Sequence, residues 1–432
     1  MPCSTPVFPS DELPIIPLSS PMTETIIHVG IIDAQEIDFS IGGKRHHACY
    51  LGEGCVGIDH NGATSATFEA EGPFTLHHVV IGKQFHWQQS EDQTFLGRLR
   101  LTAEDGMLHA INDVDVETYL KSVISSEMAA TNHPELLKTH AIISRSWVLR
   151  QIAPSVAADE SLTLPETAAG EKVIARIWDH DDHVHYDVCA DDHCQRYQGI
   201  TQQVDRKAEE AVEATRGLVL TDSEGKLCDT RFYKACGGST ERFSVCWQDR
   251  DYPYLQPVHD PFCRPSALER LPGGKEGVMR LVLNGYDRTT VDYDAWEETI
   301  ETPVLSKRVE ERLHLGLGRI LDLEPLQRGA SGRIVWLRIK GENGSVVIGK
   351  ELLIRKVLSD THLKSSCFTV TKCNGNDGCP SVFVLHGRGW GHGVGLCQIG
   401  AAAMSLQGYT CEEILKFYFP GARIAPFSQG PS

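Results

Sequence analysis

Residues 386–408 read HGRGWGHGVGLCQIGAAAMSLQG, and the reading of this stretch decides the fold. Glycine recurs at 387, 389, 391, 393 and 395, and a run of small residues then leads to Gly408. No phase of these glycines gives G-x-G-x-x-G, because His392, Val394 and Leu396 fall where the third glycine belongs, and the lysine of a P-loop is absent from the run. The spacing therefore argues against a nucleotide-binding βαβ unit. Period two describes it better: an extended segment with glycine on one face and Arg388, Trp390, His392, Val394 and Leu396 on the other. Bare backbone of this kind lets another segment or a ligand approach closely. Cys397 alone stands at a usual ligand spacing from the two histidines, so His392 reads as a hydrogen-bonded residue in a tight core junction. A helix follows, closed by Gly408. Thr410 and Glu413 then form a capping-box pair for EEILKFYF, which stops at Pro420-Gly421.

Working outward, residues 24–105 alternate short apolar runs with polar breaks (ETIIHVGII, EIDFSI, TFLGRLRL), which is the grammar of strands. At Val116 the pattern changes to helical spacing in ETYLKSVISSEMAA and PELLKTHAIISRSWVLRQIA, with Pro134 at a helix start. Strands return near GLVLT and DTRFYKACGG, residues 270–330 look charged and mostly helical, and 332–358 reads as a hairpin running into a helix. Without regular βαβ alternation this is α+β: a mixed β-sheet core with packed helices. The organisation implied is a leader at 1–23, a small β domain at 24–105, and a main domain at 106–426 with a helical subdomain at about 270–330.

A chain of 432 residues with 41% hydrophobic and 23% charged side chains can bury a sizeable core without disulfides. Its formal net charge of −17 would be repelled by nucleic acid or an anionic membrane, and suits an uncharged partner such as a glycan. No run reaches the length of a transmembrane helix. The Pro- and Ser-rich N-terminus lacks the basic and apolar regions of a secretory signal, which points to the cytosol or to an incomplete start. The 14 cysteines are scattered, favouring free thiols over a disulfide framework.

Four stretches carry candidate chemistry. Glu127 lies among Val123, Ile124 and Met128, where loss of solvation favours the protonated carboxyl that a general acid needs. Lys138 and Arg145, seven apart, share a helix face and could flank a substrate, or simply pair with Glu127. Cys189, His193 and Cys194 make a compact C-x3-H-C cluster, preceded by His180, His183 and His185, which suits tetrahedral zinc but supplies only three adjacent ligands. Cys236 before Gly237-Gly238 has the look of a nucleophile on a turn, with His392 as its conceivable base and no orienting third group. Cys373 and Cys379 are the best candidates for a disulfide or a second metal pair.

Taken together, YLKSVISSEM, PELLKTHAIISRSW, YQGI, FYKACGGSTE, LKSSCFTV and GRGWGHGVGLCQIGAAAMSLQGYTCEEILKFYFPGARI resemble, in order, the stage II sporulation protein D / amidase-enhancer family over about residues 110–425. The resemblance implies a lytic transglycosylase acting on peptidoglycan glycan strands or muropeptide fragments, with a preference for strands stripped of peptide. Glu127 would be the catalytic acid, and Lys138, Arg145, Ser146, Tyr233, His392 and Gln398 would line the substrate cleft. It also implies a structural zinc at Cys189, His193 and Cys194, and a cell-envelope location. The family's other role, enhancing a cell-wall amidase without catalysis, makes an amidase the alternative partner. Two departures stand out: Lys-Ala-Cys precedes Gly-Gly where Ser-x-Ser-Cys is usual, and Leu396-Cys397-Gln398 replaces Met-Ser-Gln.

Overall fold

The computed structural model describes residues 25–59, 63–65, 67–83, 88–128, 133–153, 162–178, 183–201, 206–283 and 292–427. The leader at 1–23 and His180 lie outside these residues.

The N-terminal third builds most of two sheets, antiparallel throughout except where Val188–Cys189 adds to the edge of one in parallel with Ile26–Ala34. One is a six-stranded sheet in which Lys44–Tyr50 and Glu36–Ile41 sit centrally. The other is a five-stranded sheet with Met107–Asp115 between Ile26–Ala34 and Arg98–Glu104. Alternating side chains from both layers, among them Ile27, Val29, Phe39, Leu76, Phe95, Leu99 and Leu101, meet in one core. Helix α1 (Val116–Glu127) starts directly from the last of these strands, capped by the Asp115 carboxylate, which accepts from the backbone N–H of Glu117 and Thr118. Helix α2 (Pro134–Ile152) begins with proline in the first turn, as its sequence requires. Both helices pack Tyr119, Leu120, Val123, Leu137 and Trp147 into the same core as the strands, each large apolar side chain contributing about 1.5–3 kcal/mol on burial. The boundary expected near residue 105 is thus not a boundary of packing. The strand after it pairs with Ile26–Ala34 on one side and Arg98–Glu104 on the other.

The C-terminal half holds a second apolar core between a four-stranded sheet (Val173–Ala175, Gly344–Gly349, Ile334–Gly341, Ile320–Arg328) and a three-stranded one (Trp296–Glu301, Pro380–Gly387, Phe368–Asn374). The expected helical subdomain at 270–330 is corrected here. Gly274–Val282 and Thr302–Leu313 are helices, but Trp296–Glu301 and Ile320–Arg328 are strands. The latter carries three irregularities of register, which break the alternation that would have marked it in the sequence. The hairpin running into a helix is present as Ile334–Gly341, Gly344–Gly349 and Glu351–Val357.

Between these layers a third cluster gathers helix α3 (Gln398–Leu406), helix α4 (Cys411–Tyr418) and the 232–263 segment. The capping box of Thr410 and Glu413 forms as its spacing predicts. The architecture is α+β, with helices set against several separate sheets.

The glycine run itself is a close-approach segment, although not an extended one. Gly389, Gly391, Gly393 and Gly395 all have positive φ, between +79° and +97°. The period of two arises from repeated left-handed turns rather than from a strand's two faces. Trp390 and Ala235 exchange backbone hydrogen bonds, Glu241 N–H donates to Gly393 O, and Leu396 N–H donates to Arg231 O. A Cβ at Gly395 would lie 2.1 Å from Arg231 O, and one at Gly393 would meet the buried Arg333 guanidinium at 2.6 Å. Trp390, Val394 and Leu396 are buried, but so are Gly389, Gly393 and Gly395, whereas Arg388 is exposed.

Candidate functional site

A cleft of about 510 Å3 opens where the N-terminal layers, α1 and the glycine run meet. Glu127, the last residue of α1, lines it with 8% of its surface exposed. The carboxylate is held from outside its own helix: Oε1 accepts from the backbone N–H of Arg196 at 2.9 Å. Two further bonds fasten the same loop to α1. Gln198 N–H donates to Ser122 Oγ at 3.1 Å, and Tyr119 Oη–H donates to Gln195 Oε1 at 3.2 Å.

That loop emerges from a cluster of His183, Cys189, His193 and Cys194, whose donor atoms all lie within 4.8 Å of one another. His183 Nε2 is 3.2 Å from both Cys194 Sγ and His193 Nδ1. Contact with Cys194, opposed by burial and reinforced by His183 and His193, pulls the Cys189 thiol well below its usual range, toward thiolate. Two sulfurs and two imidazoles in this arrangement fit a tetrahedral zinc ion. His183 is the fourth donor that the local spacing did not identify. Its sole signal in the sequence is membership of the histidine group just upstream.

Asp192 is a second carboxyl of the cleft that the sequence reading missed. Burial pushes it up to about 7, against the Arg196 guanidinium bonded to it at 2.5 Å and with the help of the Asp191 and Glu127 charges. Position alone could not reveal this, since its neighbour Asp191 looks identical in sequence.

Tyr233, His392 and Gln398 also line the cleft. The Tyr233 hydroxyl and Gln398 Nε2 are buried, with no hydrogen-bond partner among the described residues. His392 is fully engaged instead. Its Nε2–H donates to Phe232 O at 3.0 Å, and its Nδ1 accepts from Val394 N–H at 3.0 Å. Burial, with Arg231 and Arg333 nearby, holds its ring well below the usual imidazole range, so it is neutral. The ring stands edge-on to Tyr233 and Trp247, with centroids 5.2 and 5.0 Å away. It forms wall rather than proton relay.

Lys138, Arg145 and Ser146 do not line the cleft. Arg145 is fully buried, donating from Nε and Nη2 to both oxygens of Glu117 at 3.0 and 2.6 Å and from Nη1 to Leu218 O. Ser146 donates to Ile142 O and accepts from Leu220 N–H, bonding α2 to the strand Leu218–Thr221. Lys138 pairs with Glu135, whose other oxygen receives the N–H of Cys411 at the start of α4. All three assemble the scaffold behind the cleft. Its cations are instead Lys83, Arg196, Arg231, Lys234, Arg355 and Lys356.

Cys236 is buried and bonded to Asp260 rather than to His392, so the nucleophile reading fails on geometry. Cys373 and Cys379 are free thiols beside a hairpin turn, not a disulfide. Every cysteine among the described residues is free. No helix among those residues is long and apolar enough to cross a membrane.

Comparison with known proteins matches residues 104–221 to the family described as "Stage II sporulation protein". Residues 241–395 match a domain of unknown function (DUF8618). Stage II sporulation protein D of Bacillus subtilis is 24% identical over 326 residues, covering 73% of this chain and 76% of that protein. An uncharacterized protein of Brachyspira hyodysenteriae is 24% identical over 366 residues, 84% of this chain and 77% of its own. The amidase enhancer of B. subtilis is 24% identical over 332 residues, 71% of this chain but 40% of its own length. Glu127, the sulfur–imidazole cluster and Arg145 all fall inside the sporulation-protein match, so residues 104–221 form a stage II sporulation protein domain within a chain similar over 73% of its length to stage II sporulation protein D.

Proposed function

We propose that this protein acts on the bacterial cell wall as a peptidoglycan lytic transglycosylase, with Glu127 as its general acid and base. The observation that carries this reading is a buried carboxylate, fixed by a backbone N–H, at the floor of a cleft whose walls offer unpaired polar atoms. Tyr233 Oη and Gln398 Nε2 are joined there by Gln93 Oε1, Asp192 Oδ2 and Gln195 Nε2. Buried polar groups without partners are costly unless a ligand satisfies them, and a hydroxyl-rich sugar does so. Trp147, Trp178, Trp247 and Trp390 supply flat apolar surface beside them. Among the lining cations, the less buried Lys83 and Lys356 suit muramic residues stripped of peptide, since each then bears a free carboxylate.

In the reaction, Glu127 donates its proton to the bridging oxygen as the bond from muramic C1 to that oxygen breaks, releasing N-acetylglucosamine at its C4 hydroxyl. The muramic C6 hydroxyl attacks C1, and its proton passes to the Glu127 carboxylate, restoring the acid. No water is consumed, which distinguishes this route from hydrolysis with paired carboxylates. Zinc bound by His183, Cys189, His193 and Cys194 would be structural: all four positions are protein donors, and the ion would stiffen the loop whose Arg196 N–H holds the acid.

The test is incubation of peptide-stripped glycan with the protein and with Glu127→Gln, the products being read by mass. Anhydro-muramic ends from the unaltered protein alone are expected. Ordinary reducing ends would instead identify a hydrolase. Intact glycan together with stimulation of an added cell-wall amidase would identify a non-catalytic enhancer, the reading that the amidase-enhancer relative favours.

A further inference from the structure

A second cluster of metal-donor atoms lies apart from the cleft. The Sγ atoms of Cys236, Cys263 and Cys397 and a carboxylate oxygen of Asp260 all lie within 4.8 Å of one another. All four residues are buried, none more than 4% exposed. We propose that they form a closed structural zinc site of three thiolates and one carboxylate.

The donor set and its spacing both point to a single small ion. Zn–S bonds of about 2.3 Å in a tetrahedron put the sulfurs roughly 3.8 Å apart, within the spread observed. Thiolate-rich tetrahedral sites select zinc over magnesium or calcium, which want more oxygen ligands. Four protein donors and no solvent access mark a structural rather than a catalytic ion.

The surroundings are arranged for charged sulfur. Backbone N–H groups aim at the thiolates: Gly238 at Cys236 Sγ (3.2 Å), and Cys236 and Gly400 at Cys397 Sγ (3.3 and 3.4 Å). Asp260 is oriented with equal care. Its Oδ1 accepts from the N–H of Phe262 and Cys263, which turns Oδ2 toward Cys236 Sγ at 3.3 Å. The Tyr418 hydroxyl donates to Oδ2 at 2.9 Å from α4. Such outer partners are what fix ligands around a metal. Gly400 belongs to the same design, because a Cβ there would sit 2.1 Å from Tyr418 Oη and 2.3 Å from Asp260 Oδ2.

The site joins three distant segments: the turn after Phe232–Tyr233, the Asp260–Cys263 turn, and the junction of the glycine run with α3. The first and third carry Tyr233, His392 and Gln398 into the cleft. The inference does not depend on the role given to Glu127 or on zinc at the His183 cluster.

Full-length protein purified without added metal is assayed for bound zinc per chain, alongside Cys194→Ser and Cys263→Ser. Counts of two, one and one, in that order, are expected with both sites filled. Counts of one, one and zero support the present site while removing zinc from the His183 cluster. Counts of one, zero and one, or none in all three proteins, overturn it. A disulfide among Cys236, Cys263 and Cys397, found by blocking free thiols before peptide mass mapping, also overturns it. Should Cys263→Ser fail to fold, Cys194→Ser alone decides: one zinc supports the site and none refutes it.

Discussion

The backbone N–H of Arg196 donates to Glu127 Oε1 at 2.9 Å, linking the last residue of α1 to a loop 69 positions further along the chain. A glutamine carbonyl can accept the same hydrogen bond, but its amide cannot transfer a proton. Glu127→Gln should therefore lower kcat on peptide-stripped glycan about 10²–10⁴-fold, the usual contribution of general acid–base catalysis, while the unfolding midpoint stays unchanged. Comparable turnover in the two proteins would remove Glu127 from the chemistry.

Arg145 answers to stability rather than to substrate. It donates to both carboxylate oxygens of Glu117, and both residues are buried. Truncating one partner strands the other's charge, so Arg145→Ala should destabilise the fold by about 3–5 kcal/mol. Glu117→Gln should also be destabilising, for the same reason. Denaturant unfolding measures both. A variant of normal stability with weakened glycan binding would return Arg145 to the cleft.

Two glycines with nearly the same positive φ should respond very differently to alanine. Gly408 has φ +89° and open space where a Cβ would go, so Gly408→Ala costs only the left-handed penalty of about 1–2 kcal/mol. Gly395 has φ +81°, and its Cβ would lie 2.1 Å from the Arg231 carbonyl oxygen. Backbone cannot swing aside as a flexible side chain can, so Gly395→Ala should cost clearly more and disturb the cleft wall at Arg231–Tyr233. Equal unfolding free energies for the two variants would contradict the close approach.

His140 gives the protein a pH-dependent element. It is fully buried against Phe232, and neither ring nitrogen has a hydrogen-bond partner among the described residues. Burial, reinforced by the Lys234 charge, brings its pKa down to about 3. The unfolded chain takes up this proton below about pH 6.5, whereas the folded protein does not until about pH 3. Within that window falling pH favours the unfolded state, by at most about 1.4 kcal/mol per pH unit for one group. Above pH 6.5 the residue adds no slope. His140→Leu should accordingly lose less stability than the unaltered protein between pH 6.5 and pH 4. Parallel stability curves for the two proteins would show that His140 is not buried as a neutral ring.

Local rules made much of the scaffold readable. Pro134 announces a helix start, Thr410 and Glu413 announce a capping box, and the alternation through 334–349 announces a hairpin. Each depends on residues a few positions apart, whose interaction the chain itself enforces. The strand Ile320–Arg328 was hidden because its irregular register breaks the alternation. Lys138 and Arg145 share a helix face as their spacing implies. Spacing cannot say what each side chain meets: Arg145 is buried against Glu117 and the Leu218 backbone, whereas Lys138 stays partly exposed and pairs with Glu135 of its own helix.

The glycine run holds the same lesson in one stretch. By itself the sequence determined that residues 387–395 must be approached closely, because only glycine tolerates such contact. Tertiary structure alone decided that the period of two is a series of left-handed turns, that both nitrogens of His392 are spent on Phe232 and Val394, and that Cys397 meets Cys236, Asp260 and Cys263. Those partners lie up to 161 residues away. Their meeting is set by how separate sheets and helices bury their apolar faces, a property of the whole fold that no local pattern records.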